Sequence, residues 1–470
     1  MHGISLLTLE NPKRGRRLHI IDEIKKGITD GMALAEEARA LDAEFISKPS
    51  SNSRSNIGSA TATGDDFDKN FGESMLARAD NLSYMKWLLE NGYEGRIKMI
   101  YIDPPFFSKA KYNASFNIKD DEGVSHKFHH LAYDDTFERS LEFYICNITA
   151  RLVLMKELLA DDGTLWIHLD WHSSHYVKLI LDELMGEKNF VNEIIWSYKS
   201  GGSSNKHFSR KHDTILVYAK SSHYYLDVAK EKSYNRDLRP YNFKGVEEYK
   251  DDYGWYTMVN AKDVWSIDMV GRTSKERTGY ATQKPAELME RIICSGSEPG
   301  DLCADFFCGS GSLLESAEKN GRKWIGCDVE ELALGMSRKR LELLSANYRF
   351  ITDSKERRLR RDCLQIELES DDELEDGRRL CTFSLSKFIP DIDIGHIPFK
   401  EREDIEELAR KCPESFIDYI MIDADYDGKV QNFAPGNIIS SGWDRMTVVS
   451  SGHVAFIAVD VFGREYYYEI

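Results

Sequence analysis

Two short segments carry residue types that could do chemistry together. The first is IYIDPPFFS, residues 100–108, which reads as a strand delivering Asp103 to its carboxyl end. Two prolines follow, and proline fixes φ and lacks an N–H. The Asp103 side chain and the Pro104 carbonyl can therefore both face one point as acceptors. Phe106 places a flat ring beside them. Two acceptors and a ring suit a planar ligand with an exocyclic NH2, although the motif alone could also be a strand ending in a rigid turn. The second segment is DFFCGSGSLLESAEKNGRKWIGCDVE, residues 305–330. A strand ends at Asp305, a Gly309-Ser310-Gly311 turn follows, a helix starts near Ser312, and a second strand ends in Asp328. Such glycines let the backbone approach a ligand, and the helix N-terminus adds donors. An acidic residue closing the next strand can accept from ribose hydroxyls. A nucleoside-bearing cofactor is expected. A dinucleotide fits less well, because Leu314 stands where the third glycine of G-x-G-x-x-G would be.

Other candidates are weaker. KSGGSSNKHFSRKH (199–212) gathers Lys199, Lys206, Arg210 and Lys211 on a Gly/Ser loop. It is expected to touch phosphates rather than to be merely solvated. His168, Asp170, His172 and His175 bridge a strand end and a helix start, but no cysteine or carboxylate cluster completes a metal set. HKFHH (126–130) reads as a loop, ligand-facing or disordered. DADYDG (423–428) starts like a calcium loop, yet Ala434 holds the closing position that requires Glu, so a hairpin turn is expected.

The elements that must position these residues alternate. KMIYID (98–103), TLWIHLD (164–170), EIIWSY (193–198), TILVYA (214–219), LCADFF (302–307) and KWIGCD (323–328) predict strands. Residues 140–160, 174–185, 285–295, 312–320 and 330–344 predict helices. That alternation predicts an α/β sheet with helices on both faces. Residues 22–46 predict a helix, and the Ser/Asn/Gly-rich stretch 48–66 a flexible linker. Around 199–265 the pattern loosens into an insert. After 350, charge blocks and short alternating strands predict a separate β-rich module. The expected division is 1–66, 67–350 and 351–470.

The whole chain has 470 residues with 41% hydrophobic and 30% charged, an ordinary globular mix. Mean hydropathy is −0.47, and no apolar run approaches the ~20 residues of a membrane helix. No secretory signal is read at the N-terminus. The eight cysteines form no Cys-x-x-Cys pair, which suggests reduced thiols and the cytoplasm. The net charge of −17 argues against a polyanion partner, but it is unevenly placed. Residues 351–470 carry 15 Lys+Arg against 26 Asp+Glu, whereas 191–290 carry 16 against 14. Local field decides docking, so DNA is not excluded. The acidic tail is expected to support the catalytic unit or a partner protein rather than touch phosphates.

In their order along the chain these blocks resemble the β class of amino-methylating DNA methyltransferases, including the modification subunits of type III restriction systems. The resemblance spans about residues 70–345. It rests on DPPF (103–106), DDGTLWIHLD (161–170), LDELMGEKNFVNEIIWSY (181–198), SRKHDTILVYAK (209–220) and ERTGYATQKPAELMERII (276–293), followed by the Gly turn. The catalytic block precedes the cofactor block, which is that family's circular permutation. The resemblance implies a Rossmann-like, S-adenosylmethionine-dependent α/β fold, circularly permuted, with the β-rich module appended. By position, Asp305, Phe306, Gly309, Ser310 and Gly311 would line S-adenosylmethionine and Asp328 would hold its ribose. Gln283, Lys284 and Pro285 would sit near its methionine end, and Asp80 near its adenine. Asp103, Pro104, Pro105 and Phe106 would form the site for a flipped base, and the insert at 199–265 would recognise the target. Asp in the first tetrad position favours adenine N6; cytosine N4 is the alternative, as is a non-catalytic DNA-binding homologue. This sequence departs from the family in having Phe106 for Tyr, Phe306 for Pro and Ser312 for Thr. A cytosine-C5 enzyme would need a nucleophilic Cys, usually after Pro, and no Pro-Cys occurs. The implied partners are double-stranded DNA, a second copy of the chain and a separate restriction subunit, since no P-loop or helicase motif is present.

Overall fold

The apolar runs assemble into one ten-stranded sheet in the computed structural model, which describes residues 20–40, 45–48, 73–135, 140–199, 205–271, 273–353, 360–428 and 437–470. Most of the expected linker lies outside the described residues. Across the sheet the order is Phe45–Lys48, Tyr348–Asp353, Ser74–Arg78, Lys323–Asp328, Leu302–Asp305, Ile97–Ile102, Leu159–Leu169, His212–Ala219, Phe190–Ser197 and Val264–Ser266. The six central strands from Tyr348–Asp353 to Leu159–Leu169 are mutually parallel, and His212–Ala219 runs against its neighbours. Parallel strands are buried on both faces, so their sequences read as near-continuous apolar runs. Met99 and Tyr101 pack with helices Ala286–Gly296, Ser312–Lys319 and Glu331–Leu343. Ile100 and Ile102 pack on the other face with Asn81–Glu90, Leu141–Leu158 and Ser174–Met185.

The N-terminal helix is shorter than predicted, Ile20–Arg39, and it lies on Leu141–Leu158. The close approach needs glycine: a Cβ at Gly31 would stand 2.6 Å from the Cys146 carbonyl oxygen and the Thr149 Cβ. The strand predicted over 302–307 ends at Asp305, and Phe306 already belongs to the turn. The insert is not formless. It carries a small sheet of Lys230–Tyr234, Tyr249–Lys250 and Trp255–Asn260.

Two expectations are corrected. HKFHH is no loop: it lies in the strand Ser125–Asp134, paired with Lys111–Lys119. Phe116 and Phe128 of this hairpin are buried in the core of the C-terminal part. The C-terminal strands do not simply alternate either. Ile417–Tyr426 and His453–Asp460 are buried on both faces, between a three-stranded sheet and the helix Glu331–Leu343. The acidic block around 369–376 forms the exposed end of a hairpin, Leu364–Glu373 with Arg379–Phe388. A helix, Arg402–Lys411, was not foreseen. Among the described residues no helix is long and apolar enough to cross a membrane.

Candidate functional site

Chain direction fixes where a ligand can sit. The strand Leu302–Asp305 has Lys323–Asp328, which follows it in sequence, on one side and Ile97–Ile102, which precedes it, on the other. The loops leaving Leu302–Asp305 and Ile97–Ile102 therefore diverge, and a crevice opens at their carboxyl ends. Asp305 and Asp103 stand at those two ends. A cleft of about 240 Å³ lies there.

The Gly turn forms its floor. Gly309 (φ +50°) and Gly311 (φ +74°) adopt left-handed backbone, which glycine alone takes without strain. Gly309 N–H donates to Asp328 Oδ2 at 2.8 Å, and Ser337 Oγ donates to the Gly309 carbonyl at 2.7 Å. Asp328 Oδ1 accepts from the N–H groups of Val329 and Glu330. Burial raises its pKa, and these backbone donors oppose that shift. Burial pushes the Asp305 carboxyl well above the usual range, although Phe307 N–H donates to it at 3.0 Å. The missing third glycine has a substitute. That glycine normally allows close helix–strand packing, and here Gly326 on the neighbouring strand makes room for the Leu314 side chain, whose Cδ1 is 2.4 Å from where a Gly326 Cβ would be.

The tetrad forms one wall. Asp103 is 16% exposed in its side chain; Oδ2 is paired with Lys284 Nζ, while Oδ1 is buried without a hydrogen-bond partner. Phe106 lies flat against His168, with ring centroids 6.1 Å apart and planes at 21°. Lys284 Nζ stands 6.0 Å from the Phe106 centroid. The exit from the tetrad is held at two points. Phe107 takes a left-handed φ of +59° and stacks on Tyr144, and Asp135 Oδ2 accepts from Ser108 N and Oγ at 2.7 and 2.5 Å. A non-glycine residue at positive φ next to the site is the kind of strain that functional loops carry.

Among the residues singled out in the sequence, Asp80, Gln283, Lys284, Asp305, Phe306, Gly309, Ser310 and Asp328 line the same cleft as the four tetrad residues. Asp80 also caps the helix Asn81–Glu90 and pairs with Arg151 at 3.2 Å. The Gln283 amide is used internally: it accepts from Thr278 N and Oγ1 and donates to the Glu276 carbonyl, which shapes the loop carrying Lys284. Pro285 and Gly311 are not in the lining; they are N-caps of Ala286–Gly296 and Ser312–Lys319. The basic set lies apart from the cleft. Lys199 faces Asp268 at 3.8 Å, and the Arg210 guanidinium packs 3.8 Å over the Trp171 ring. Lys206 is exposed and Lys211 half-buried.

Sequence reasoning missed a buried chain under Phe106. His168 is 0% exposed; Nδ1 meets Tyr101 Oη at 3.0 Å and Nε2 meets Asp213 at 3.2 Å. Tyr198 Oη donates to the same Asp213 at 3.1 Å. Burial works against ionising Asp213, but His168 and the nearby Lys284 hold its carboxyl below the usual range. Burial keeps Tyr101 far above a phenol's usual pKa, so it stays protonated beside His168 Nδ1. His168 attracted notice only as a candidate metal ligand.

Comparison with known proteins adds a family. The family described as DNA methylase matches residues 97–339. The type II methyltransferase M.EcaI of Enterobacter cloacae is 29% identical over 325 residues, covering 56% of this chain and 68% of its own. The type II methyltransferase M2.LlaDCHI of Lactococcus lactis subsp. cremoris is 30% identical, covering 57% of this chain and 89% of its own. The type III restriction-modification enzyme EcoP15I Mod subunit of Escherichia coli is 31% identical over 161 residues, covering 32% and 24%.

Proposed function

The chain belongs to the DNA methylase family, and from that premise we propose that it methylates adenine N6 in duplex DNA with S-adenosylmethionine as donor. The observation that carries this reading is Asp103 Oδ1, a buried acceptor without a partner on a residue that lines the same cleft as Phe106. Such an unpaired atom costs about 1–3 kcal/mol, which an N–H donor on a ligand would relieve. The same cleft suits the cofactor: the Gly309–Ser310 turn allows close backbone approach, and Asp328 and Asp80, both in the lining, would face its ribose and its adenine. Lys284 and the loop shaped by Gln283 and Pro285 would face its carboxylate end. When bound, S-adenosylmethionine supplies an electrophilic sulfonium methyl.

The chain's own work falls on the amine. An exocyclic adenine amine is a poor nucleophile because its lone pair is delocalised into the ring. Asp103 and the Pro104 carbonyl accept from N6–H and favour a more tetrahedral nitrogen. Pro105 keeps the turn rigid, and Phe106, backed by His168, stacks the base. A base inside the duplex is out of reach, so it must be flipped. Positioning and electrostatics do the rest. Asp rather than Ser at position 103 favours adenine over cytosine. Tetrad before Gly turn makes this the permuted class, within a unit of about 67–350. The insert at 199–265 would read the target, and Lys199, Lys206, Arg210 and Lys211 would hold phosphates. A homodimer and a separate restriction subunit are the proposed protein partners.

Methylation-aware sequencing of DNA from cells expressing the chain tests the reading. The expected result is N6-methyladenine at one short sequence, absent with Asp103→Ala. N4-methylcytosine would move the assignment to cytosine, and unmodified DNA would leave a non-catalytic DNA-binding homologue.

A further inference from the structure

Phe208 is 98% exposed. A lone apolar ring on a surface needs no explanation by itself, but this one stands at a particular place. The strand His212–Ala219 runs antiparallel to Leu159–Leu169, with Thr214 opposite Leu169. The residues just before it therefore arrive at the carboxyl edge of the sheet, the edge that carries the tetrad two strands away. Two contacts hold them there. Tyr198 N–H donates to the Lys211 carbonyl at 3.0 Å, and Arg210 packs on Trp171. Trp171, itself 46% exposed, follows three residues after His168, the ring beneath Phe106. Two residues of extended chain span about 7 Å, so Phe208 stands within about that distance of the braced point, outside the cleft lining but on the same carboxyl edge of the sheet.

The two phenylalanines have opposite surroundings. Phe106 lies in the cleft near His168 and Lys284, its ring centroid 6.1 Å from that of His168 and 6.0 Å from Lys284 Nζ. Phe208 faces water. Flipping a base leaves a gap in the duplex stack, and apolar side chains can enter unstacked base steps. We infer that Phe208 is a wedge that enters the duplex where the target base leaves, with Arg210, braced on Trp171, at a flanking phosphate. This rests on the base-flipping reading above and names the group that holds the gap open.

The test uses the full chain and the target duplex found by sequencing. Wild type and Phe208→Ala are compared on the matched duplex and on one with an abasic site opposite the target base. On the matched duplex the variant should lose about ten- to a hundredfold in kcat/KM, the range for removing one base–aromatic stack. On the abasic duplex it should stay within about twofold of wild type, because pairing no longer opposes flipping. A 2-aminopurine at the target should brighten with wild type and much less with Phe208→Ala, whereas Phe208→Leu, still apolar, should recover part of the signal. Equal loss on both duplexes, or no loss on either, overturns the wedge while wild-type methylation stands. Wild type that methylates neither duplex overturns the function proposed above, and the wedge with it.

Discussion

Asp103 lines the cleft, with Oδ2 paired to Lys284 and Oδ1 buried without a hydrogen-bond partner. The carboxylate acts on the amine and not on the sulfonium. Asp103→Ala should therefore abolish methyl transfer while calorimetry finds cofactor affinity nearly unchanged; near-normal turnover would sink the assignment. Asp328 differs, because it serves both a ligand and the fold. It ties Gly309 N–H at 2.8 Å as well as facing the cleft. Asp328→Ala should weaken S-adenosylmethionine binding by roughly 1.5–3 kcal/mol, the range for hydrogen bonds to a charged group. Unchanged affinity in the same calorimetry would mean that Asp328 does not reach the ribose. The tetrad and the Gly turn were legible because each is a contiguous run whose backbone does the work. The Tyr101–His168–Asp213–Tyr198 chain was not, because three strands and the residue just after a fourth supply its members, and only the sheet register brings them together. Periodicity says that such residues are buried; it does not say against what.

Elements were legible where they obey one period. The six predicted strands and five predicted helices of the central sheet all formed, with ends displaced by a few residues. The hairpin over 111–134 escaped because HKFHH is polar by composition, yet Phe128 reaches a core built from residues almost three hundred positions later. The C-terminal strands formed where the sequence puts them, but the double burial of two of them was not legible, because an unbroken apolar run does not announce which two layers cover it. Leu314 shows how an element can break a motif and keep its physics. Helix Ser312–Lys319 still packs closely on its neighbour because the space was moved to Gly326. Gly326→Ala should then push the helix away at a cost of roughly 1–3 kcal/mol, the usual penalty of overpacking. The Gly turn is attached to that helix, so cofactor affinity should fall with stability. Adding Leu314→Ala should restore much of both; a pair of losses that simply add would show that the two residues do not share the space.

The whole molecule is joined through its glycines and buried ions. Helix Glu331–Leu343 holds the Gly turn through Ser337 Oγ and also meets the C-terminal sheet, where a Gly335 Cβ would stand 2.7 Å from Gly463 Cα. Tyr419 Oη donates to the Gly335 carbonyl at 3.2 Å, and Arg338 pairs with Glu465. On the far side Phe462 packs edge-on against Phe116 at 5.2 Å and lies 5.3 Å from His130. Two buried titratable groups meet at this joint with opposite preferences. Burial pushes Asp460 up to about 7 from 3.8, although Phe462 N, Arg464 N and Tyr466 Oη all donate to it. Burial, with the nearby His396 and Arg464 charges, pushes His130 down to about 4 from 6.5. Between about pH 4 and 6.5 the folded chain holds a proton on Asp460 that the unfolded chain lacks, so this group's stabilisation falls as pH rises. Over the same window the unfolded chain holds a proton on His130 that the folded chain lacks, so that contribution rises with pH. The two slopes oppose each other, each bounded by one proton, about 1.4 kcal/mol per pH unit. Asp460→Asn should therefore turn the slope of unfolding free energy against pH more positive, and His130→Phe should turn it more negative. Denaturant titrations at pH 4.5, 5.5 and 6.5 read both slopes, and variants that both keep the wild-type slope would show that neither group titrates with unfolding of the joint.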